Sequence, residues 1–246
     1  MTDASAATIE QPIDRAAVLA ALRARVARME RNGAPEAAGI ALCGTIDAHL
    51  PGGGLARAAL HEVIAADPGA AAGFCALVLA RAAGTVLLIS PSPDAWPPGL
   101  AAFGLDPASL VLVRAERPRE GLWAFEEALR CPAVAGALLV VQGAAPDMVA
   151  SRRLQLAAEA GGGVGLLLLP GTARTTSSPA RSRWHVEAAT PVQGMRPCWQ
   201  LTLLRSAGGP GGAWSVRWRQ DRASLEVVSD SPVSSAADRH QPVASR

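Results

Sequence analysis

Short, continuously apolar runs separated by amphipathic segments make up most of the chain between Leu50 and Leu169. Four runs of five or six residues have this character: Val86 to Ser90, Leu110 to Arg114, Ala137 to Gln142 and Val164 to Leu169. Such runs are typical of strands covered on both faces in a parallel sheet. A further strand, Leu60 to Ala65, is predicted ahead of them, after a glycine turn. Apolar residues recur every three or four positions in Glu120 to Arg130 and Asp147 to Ala160, which predicts helices. The alternation of strand and helix predicts an α/β core.

Strict alternation replaces the continuous runs in the C-terminal part of the chain, from Arg183 onward. Two segments place tryptophan or aliphatic residues at every second position: Trp199, Leu201 and Leu203 in one, and Trp214, Val216 and Trp218 in the other. The glycine-rich stretch Ser206 to Gly212 lies between them. This pattern predicts an antiparallel hairpin that extends the sheet at its edge.

Both ends of the chain differ from the core. Ile13 to Arg31 is predicted to be an amphipathic helix, which either packs on its own core or docks on a neighbouring subunit. Residues beyond Val228 lack apolar periodicity and are predicted to be disordered. The sequence therefore divides into an N-terminal helix and connector (residues 1–49), a core domain (residues 50–228) and a tail (residues 229–246).

Composition removes several classes of function. The chain has 246 residues, half of them hydrophobic, and a net charge of +2, which is small for a protein that binds nucleic acid nonspecifically. All 23 cationic Lys or Arg residues are arginines. The absence of lysine excludes both a phosphate-loop lysine and a lysine Schiff-base enzyme.

Cysteine usage and the first residues indicate the compartment. Cys43, Cys75, Cys131 and Cys198 are scattered without metal-ligand spacing, so four reduced thiols and no metal are expected. The polar N-terminal residues lack the basic region and apolar core of a signal peptide, and every apolar run is too broken to span a membrane. A cytoplasmic protein without a membrane contact is expected.

The stretch Leu50 to Ala80 has the layout of a nucleotide-binding element. A glycine turn precedes the first strand, a small-residue loop from Ala66 to Ala72 follows it, and a helix is predicted from about Gly73. A phosphate loop needs a lysine and a Ser or Thr that binds magnesium, but this loop offers Asp67, Pro68, Gly69 and alanines. The scaffold of a phosphate site is present without its chemistry.

Two further positions lack the groups that ATP hydrolysis requires. Gln142 ends the strand that would supply the magnesium-binding acid, and a neutral amide does not replace a carboxylate there. The second strand is followed by Ser90, Pro91 and Ser92, and the first acid after it is Asp94. Hydrolysis by a phosphate-loop mechanism is therefore not expected.

Other catalytic arrangements are also missing. The sequence has no G-x-S-x-G nucleophile elbow, and its four histidines are isolated from one another. His61, inside the first apolar strand, is predicted to be a hydrogen-bonded structural or edge histidine rather than a catalyst.

Arginines in two places are candidate nucleic-acid contacts. Arg174, Arg181 and Arg183 lie in a loop of small polar residues, and Arg217 and Arg219 flank a tryptophan on the predicted hairpin. Solvated surface is the alternative for both. A third signal, Gln200 to Leu204, resembles the peptide that docks on the bacterial sliding clamp, but its place in a predicted strand disfavours that function.

The order of these parts resembles the RecA core over Leu50 to Val228. The segment GGLARAALHEVIAADPGAAAGF stands where that family has its glycine turn, first strand and phosphate loop. This resemblance places Ala71 near the loop lysine, Ser92 near the catalytic glutamate and Gln142 at the magnesium aspartate. These residues, with Asp67 and Gly69, would form a vestigial nucleotide site.

Several motifs are similar to those of the ImuA family, RecA-like proteins of bacterial SOS mutagenesis cassettes. They are LPGGGLARAALHE, GLAAFGLDP, LWAFEEALR, ASRRLQLAAEAGGGVGLLL and the pair Arg183 and Trp184. The resemblance implies a RecA-like fold with a mostly parallel sheet, a C-terminal antiparallel hairpin and an N-terminal helix.

In function, the ImuA resemblance implies a non-hydrolysing adaptor of translesion synthesis without a cofactor. Its implied partners are ImuB, an inactive Y-family polymerase relative, an error-prone replicative-type DNA polymerase and RecA. The N-terminal helix or the C-terminal hairpin and tail is expected to carry the protein contact. The alternatives are a cell-division inhibitor similar to SulA and an active recombinase-type ATPase, because fold alone does not separate these functions.

Overall fold

The computed structural model describes residues 39–93, 97–173, 177–190 and 197–231. The predicted helix over Ile13 to Arg31, Asp94, Arg174 and the chain from residue 232 onward lie outside the described residues. Within the described part, no helix is long and apolar enough to cross a bilayer.

One sheet of nine strands organises the described residues, in the spatial order β3-β2-β4-β5-β1-β6-β7-β8-β9. Its strands are β1 (Ala59–Ala65), β2 (Thr85–Ser90), β3 (Leu110–Arg114), β4 (Val134–Val140), β5 (Val164–Pro170), β6 (Ser182–Ala188), β7 (Cys198–Ser206), β8 (Gly212–Arg219) and β9 (Ser224–Ser231). The first six strands pair in parallel, and β6 to β9 pair antiparallel. The predicted α/β class, mostly parallel sheet and C-terminal hairpin are confirmed.

The described residues form five helices that connect or precede these strands: α1 (Gly44–Asp47), α2 (Pro68–Ala82), α3 (Pro97–Ala101), α4 (Pro118–Arg130) and α5 (Met148–Gly161). The long helix α2 contacts β1, β4, β5 and β6, whereas α4 and α5 contact each other and strands β1, β2, β4 and β5. Helix α2 lies on one face of the sheet, and α4 and α5 lie on the other. Val63 of β1 belongs to the hydrophobic cluster of α2, whereas Leu60 and Ile64, which point to the opposite face, belong to that of α4 and α5.

Aromatic side chains fill the core on the α2 face. Phe74 of α2 contacts Trp184 of β6, which in turn contacts Trp214 of β8, with ring centroids 5.5 and 6.2 Å apart. Gly73 lies where a Cβ atom would come within 2.9 Å of the rings of Phe103 and Trp199. Only glycine therefore fits at this point of close approach between α2 and the sheet.

The connector ahead of β1 is part of this core. Ile40 pairs with Leu55 in an isolated bridge, and Ile40 and Ile46 are almost fully buried. Arg57 donates to the carbonyl oxygens of Arg81 and Ala82 at the C-terminal end of α2. Core residues therefore occur ahead of residue 50, where the core domain was predicted to begin, and strand β9 extends three residues beyond Val228, where that domain was predicted to end.

Strand β3 departs from the expectation that the apolar runs are covered on both faces. It lies at the edge of the sheet, with Val111 45% and Leu112 42% exposed. Periodicity within one run does not reveal its place in the strand order, and the helices that cover the inner strands do not reach over this edge strand.

Candidate functional site

The connection between β1 and α2 is the place where a nucleotide-binding fold would hold phosphate. Only Ala66 and Asp67 lie between Ala65, which ends the strand, and Pro68, which begins the helix. Both of their backbone N–H groups donate to the carbonyl oxygen of Val186 on β6, at 3.1 and 3.2 Å. A phosphate cradle uses the N–H groups of such a connection, and here they are bonded to the sheet.

The first turn of α2 is also occupied by the chain's own groups. The Asp67 carboxylate accepts a hydrogen bond from the N–H of Ala70 at 2.7 Å, and the Asp67 carbonyl oxygen accepts from Ala71. Pro68 has no N–H to offer. An acidic side chain therefore lies where a phosphate would be drawn by the N–H groups and the helix dipole, and it repels a second anion.

The structure corrects the predicted start of this helix. The loop predicted over Ala66 to Ala72 is two residues long, and the helix begins at Pro68 rather than near Gly73. Ala71, which the resemblance placed near the loop lysine, is fully buried in the core on the α2 face. Gly69 is exposed on the first turn.

The other two vestigial positions follow neighbouring strands. Ser92 donates its N–H to the Ser90 hydroxyl, which donates to the Ser92 carbonyl oxygen, so the two serines close a tight turn after β2. Gln142 is exposed two residues after β4. Because β2 and β4 are adjacent and parallel, both residues lie on the side of the sheet formed by the C-terminal ends of the parallel strands.

A cleft of about 230 Å³ opens at the C-terminal ends of these strands, on the face covered by α4. Its lining is mostly apolar and includes Leu122, Leu139, Val141 and Pro146, with Gln142 at its polar side. The predicted set is thus not gathered into one pocket, since Gln142 lines this cleft and Asp67, Gly69, Ala71 and Ser92 do not.

The three loop arginines predicted as DNA contacts have different environments. Arg183 is 5% exposed, and its Nε donates to the carboxylate of Glu62 on the adjacent strand β1. This buried ion pair contradicts a DNA contact for Arg183, because its guanidinium does not reach the surface. Arg181 is exposed, which agrees with either a contact or solvated surface, and Arg174 lies outside the described residues.

The arginines of the predicted hairpin are paired with acids. Arg217 bonds Glu226 at 2.5 Å and Arg219 bonds Asp221 at 2.9 Å. The Arg219 hydrogen bond lowers the pKa of Asp221 to about 2, so this pair stays charged at neutral pH. Their positive charge is therefore largely balanced locally.

No protein-family model matches the chain. Protein ImuA from two strains of Caulobacter vibrioides is 36% identical to it over 197 residues, which cover 70% of this chain and 80% of the relative. The chain belongs to the ImuA family.

The fold of this ImuA-family chain has a solved counterpart. The crystal structure of the RadB recombinase matches it with a TM-score of 0.57 at 14% identity, over 75% of this chain and 96% of that one. A likeness at this identity shows the fold alone, and it confirms the RecA-like fold predicted from the sequence.

A buried network of hydrogen bonds lies inside the sheet of the ImuA-family chain. His61 Nε2 is 2.9 Å from the carbonyl oxygen of Ala56, which can only accept, so this nitrogen carries the proton. Its Nδ1 accepts from the Ser182 hydroxyl at 2.7 Å, and that hydroxyl accepts from Trp184 Nε1. The prediction of a hydrogen-bonded structural histidine is confirmed.

Burial sets the charge of His61. Desolvation, aided by the nearby positive charge of Arg181, lowers the pKa of His61 to about 4 against the opposing effect of the Ala56 carbonyl. The ring is therefore neutral at pH 7. Ser182 is 2% exposed, so this Ser and His pair lacks the access that a nucleophile needs.

The described part of the chain shows neither a metal-binding cluster nor an activated thiol. It holds no group of three or more His, Cys, Asp or Glu side chains that could bind a metal ion. The four cysteines, all within the described residues, form no disulfide. Desolvation raises the pKa of the buried Cys75 thiol, which makes it a weak nucleophile at neutral pH.

Sequence reasoning missed the surface of α4 and α5. Trp123 is 66% exposed on α4, although the pattern had drawn attention only to the buried stripe of that helix. The available signal was its place outside the stripe of Leu122, Phe125 and Leu129, which puts a large aromatic side chain on the solvent face of the helix.

Proposed function

We propose that this ImuA-family chain is a non-catalytic adaptor in error-prone DNA synthesis across damaged templates. The observation that carries the proposal is the β1–α2 connection, where Asp67 occupies the helix N-terminus and Val186 accepts the connecting N–H groups. ATP hydrolysis on a phosphate-loop fold needs a cradle, a lysine and a magnesium-binding acid. The chain has Ala71 and Gln142 at the corresponding positions and no lysine anywhere.

Membership of the ImuA family supports the partners of the proposal. The adaptor binds an ImuB-type inactive Y-family polymerase and is linked through it to an error-prone replicative-type DNA polymerase, with RecA as a further contact. DNA is a weaker partner, for which Arg174 and Arg181 are the candidate contacts once Arg183 is assigned to the core. The protein acts in the cytoplasm after DNA damage.

Nucleotide turnover and binding test the adaptor proposal directly. We expect no ATP hydrolysis above background with Mg²⁺, with or without single-stranded DNA, and no change in melting temperature at millimolar ATP or ADP. A nucleotide present at 100 times its Kd would stabilise the fold by about 2.7 kcal/mol, which a thermal-shift assay detects easily. Turnover that disappears in Asp67→Ala or Gln142→Ala would overturn the proposal.

The partner arm of the same test uses the purified full chain with the ImuB-type protein. Copurification of the two proteins at physiological salt is expected. Suppression of cell-division GTPase assembly, in place of that copurification, would favour the SulA-like alternative.

A further inference from the structure

Exposed apolar side chains are concentrated on two consecutive helices. Eight large hydrophobic residues are exposed in the described part of the chain, and four of them lie on α4 and α5: Trp123, Met148, Val149 and Leu156. Trp123 and Val149 are the most exposed of the eight, at 66% and 70%. Such a concentration on a soluble fold marks an interaction surface rather than the scatter found on any protein.

A groove of about 290 Å³ lies between the two helices, and of these four exposed residues Trp123 lines it. Its walls are one stripe of α4 and one stripe of α5, hereafter the α4–α5 groove: Arg119, Leu122, Trp123 and Glu126 on one side, and Ala150, Arg153 and Leu154 on the other. The α4 stripe follows the spacing i, i+3, i+4, i+7, so it extends about 10 Å along the helix, or two turns. A groove of this form accepts the apolar side of a helix.

The groove lining contains two arginines, Arg119 and Arg153, and one acid, Glu126. Glu126 is buried at its floor and is already neutralised by Arg130 and Arg153, which both bond its carboxylate. Arg119 in the groove is exposed and has no ion-pair partner among the described residues, and Arg153, in the opposite wall, is exposed beside it. The groove therefore presents uncompensated positive charge around an exposed tryptophan.

We propose that the α4–α5 groove binds an acidic amphipathic helix of a partner protein. The apolar side of that helix packs on Trp123, Leu122 and Ala150, and its acidic residues pair with Arg119 and Arg153. This inference rests on the proposed adaptor function, and it assigns that function's protein contact to the core rather than to the N-terminal helix or the C-terminal hairpin and tail.

Two other occupants fit the groove less well. Single-stranded nucleic acid would stack on Trp123 and pair with arginine, but Met148, Val149 and Leu156 are aliphatic and offer no stacking surface. A second copy of this chain in a two-fold dimer would place the same groove against itself, so Arg119 and Arg153 would face like charges.

The test measures the affinity of the full chain for the ImuB-type protein by biolayer interferometry. We expect Trp123→Ser and Arg119→Glu each to weaken binding about tenfold or more, because a central tryptophan and a complementary charge dominate such contacts. Matched controls are Leu204→Ser, which removes a 42% exposed apolar residue from β7, and Arg222→Glu, which reverses an exposed arginine after β8. Circular dichroism confirms that all variants fold.

The outcomes separate this inference from the adaptor proposal. If wild type binds the ImuB-type protein and Trp123→Ser binds equally well, or Leu204→Ser alone loses binding, the adaptor stands and the groove assignment is wrong. If wild type binds no ImuB-type protein, the adaptor proposal fails. The groove is then judged by a labelled 18-residue helix with leucine at positions i, i+3, i+4 and i+7 and glutamate elsewhere.

For that peptide, binding that is lost in Trp123→Ser and in a lysine version of the peptide supports the groove. Absence of binding, or equal binding of the acidic and basic peptides, overturns it. A 25-nucleotide oligothymidine runs alongside as the nucleic-acid probe. If Trp123→Ser weakens binding of the oligonucleotide and not of the protein or peptide, the occupant is nucleic acid and the proposal is wrong.

Discussion

Ser182 connects two aromatic side chains through one hydroxyl in the middle of the sheet. It donates to His61 Nδ1 and accepts from Trp184 Nε1, while His61 donates from Nε2 to Ala56. Each of the polar side-chain groups of His61, Ser182 and Trp184 thus has a hydrogen-bond partner, which offsets the cost of burying it. The arrangement requires a neutral imidazole, because a second ring proton would remove the acceptor that the Ser182 hydroxyl uses.

His61 should therefore make stability fall as the pH is lowered. Its pKa is about 4 in the folded protein and has its ordinary value of 6.5 when unfolded, so the unfolded chain binds more protons between these values. Stability is fully present above pH 6.5 and declines toward pH 4, by about 2 kcal/mol at pH 5 and roughly 3 kcal/mol in total.

Urea unfolding at pH 7 and pH 5 checks this prediction against the variant His61→Gln, which keeps a donor and an acceptor but does not titrate. Other titrating groups affect both proteins alike. The wild type should lose about 2 kcal/mol more than the variant between the two pH values. Equal losses would show that His61 does not titrate with a lowered pKa.

At the scale of elements, sequence patterns located most helices and strands but not all their limits. The continuous apolar runs indicated β2 to β5, because strands buried on both faces are apolar throughout. The start of α2 was misplaced because Ala70 to Ala72 resemble a small-residue loop, although Asp67 and Pro68 together are a capping signal. Strands β6 and β9 carry charged residues and were not predicted.

The cap at Asp67 provides the prediction at this scale. Asp67→Ala leaves the Ala70 N–H without its acceptor and removes a negative charge from the helix N-terminus, so it should lower the free energy of unfolding by about 1 kcal/mol. Asp67→Ser, which keeps a capping oxygen, should lose much less. Thermal and urea unfolding of the three proteins measure the difference, and equal losses for Ala and Ser would argue against a capping role.

Across the whole molecule, β6 joins a parallel half of the sheet to an antiparallel half. It pairs in parallel with β1 and antiparallel with β7, and Arg183 ties it to β1 through the buried carboxylate of Glu62. The sequence could indicate both halves, since each has its own periodicity. It could not indicate the junction or the pairing of Glu62 with Arg183, because these residues are 121 positions apart and meet only through strand order.

The same separation explains why the candidate site was only partly predictable. The missing lysine and the amide at Gln142 are local facts of the sequence. The use of the Ala66 and Asp67 N–H groups by Val186 depends on β6 lying beside β1. The α4–α5 groove likewise depends on how two helices pack, which periodicity within either helix does not specify.

The Glu62–Arg183 pair should control the stability of the whole sheet. Arg183→Met leaves the Glu62 carboxylate buried near Ser178 without its cation, and breaking such a pair costs about 3–5 kcal/mol. Replacing both residues, in Glu62→Met/Arg183→Met, removes the uncompensated charge and should recover most of that loss. Urea unfolding followed by tryptophan fluorescence and far-UV circular dichroism measures both variants. Because one sheet connects the two halves, both probes should report a single transition. A double variant as unstable as Arg183→Met would show that packing, rather than an unpaired buried charge, causes the loss.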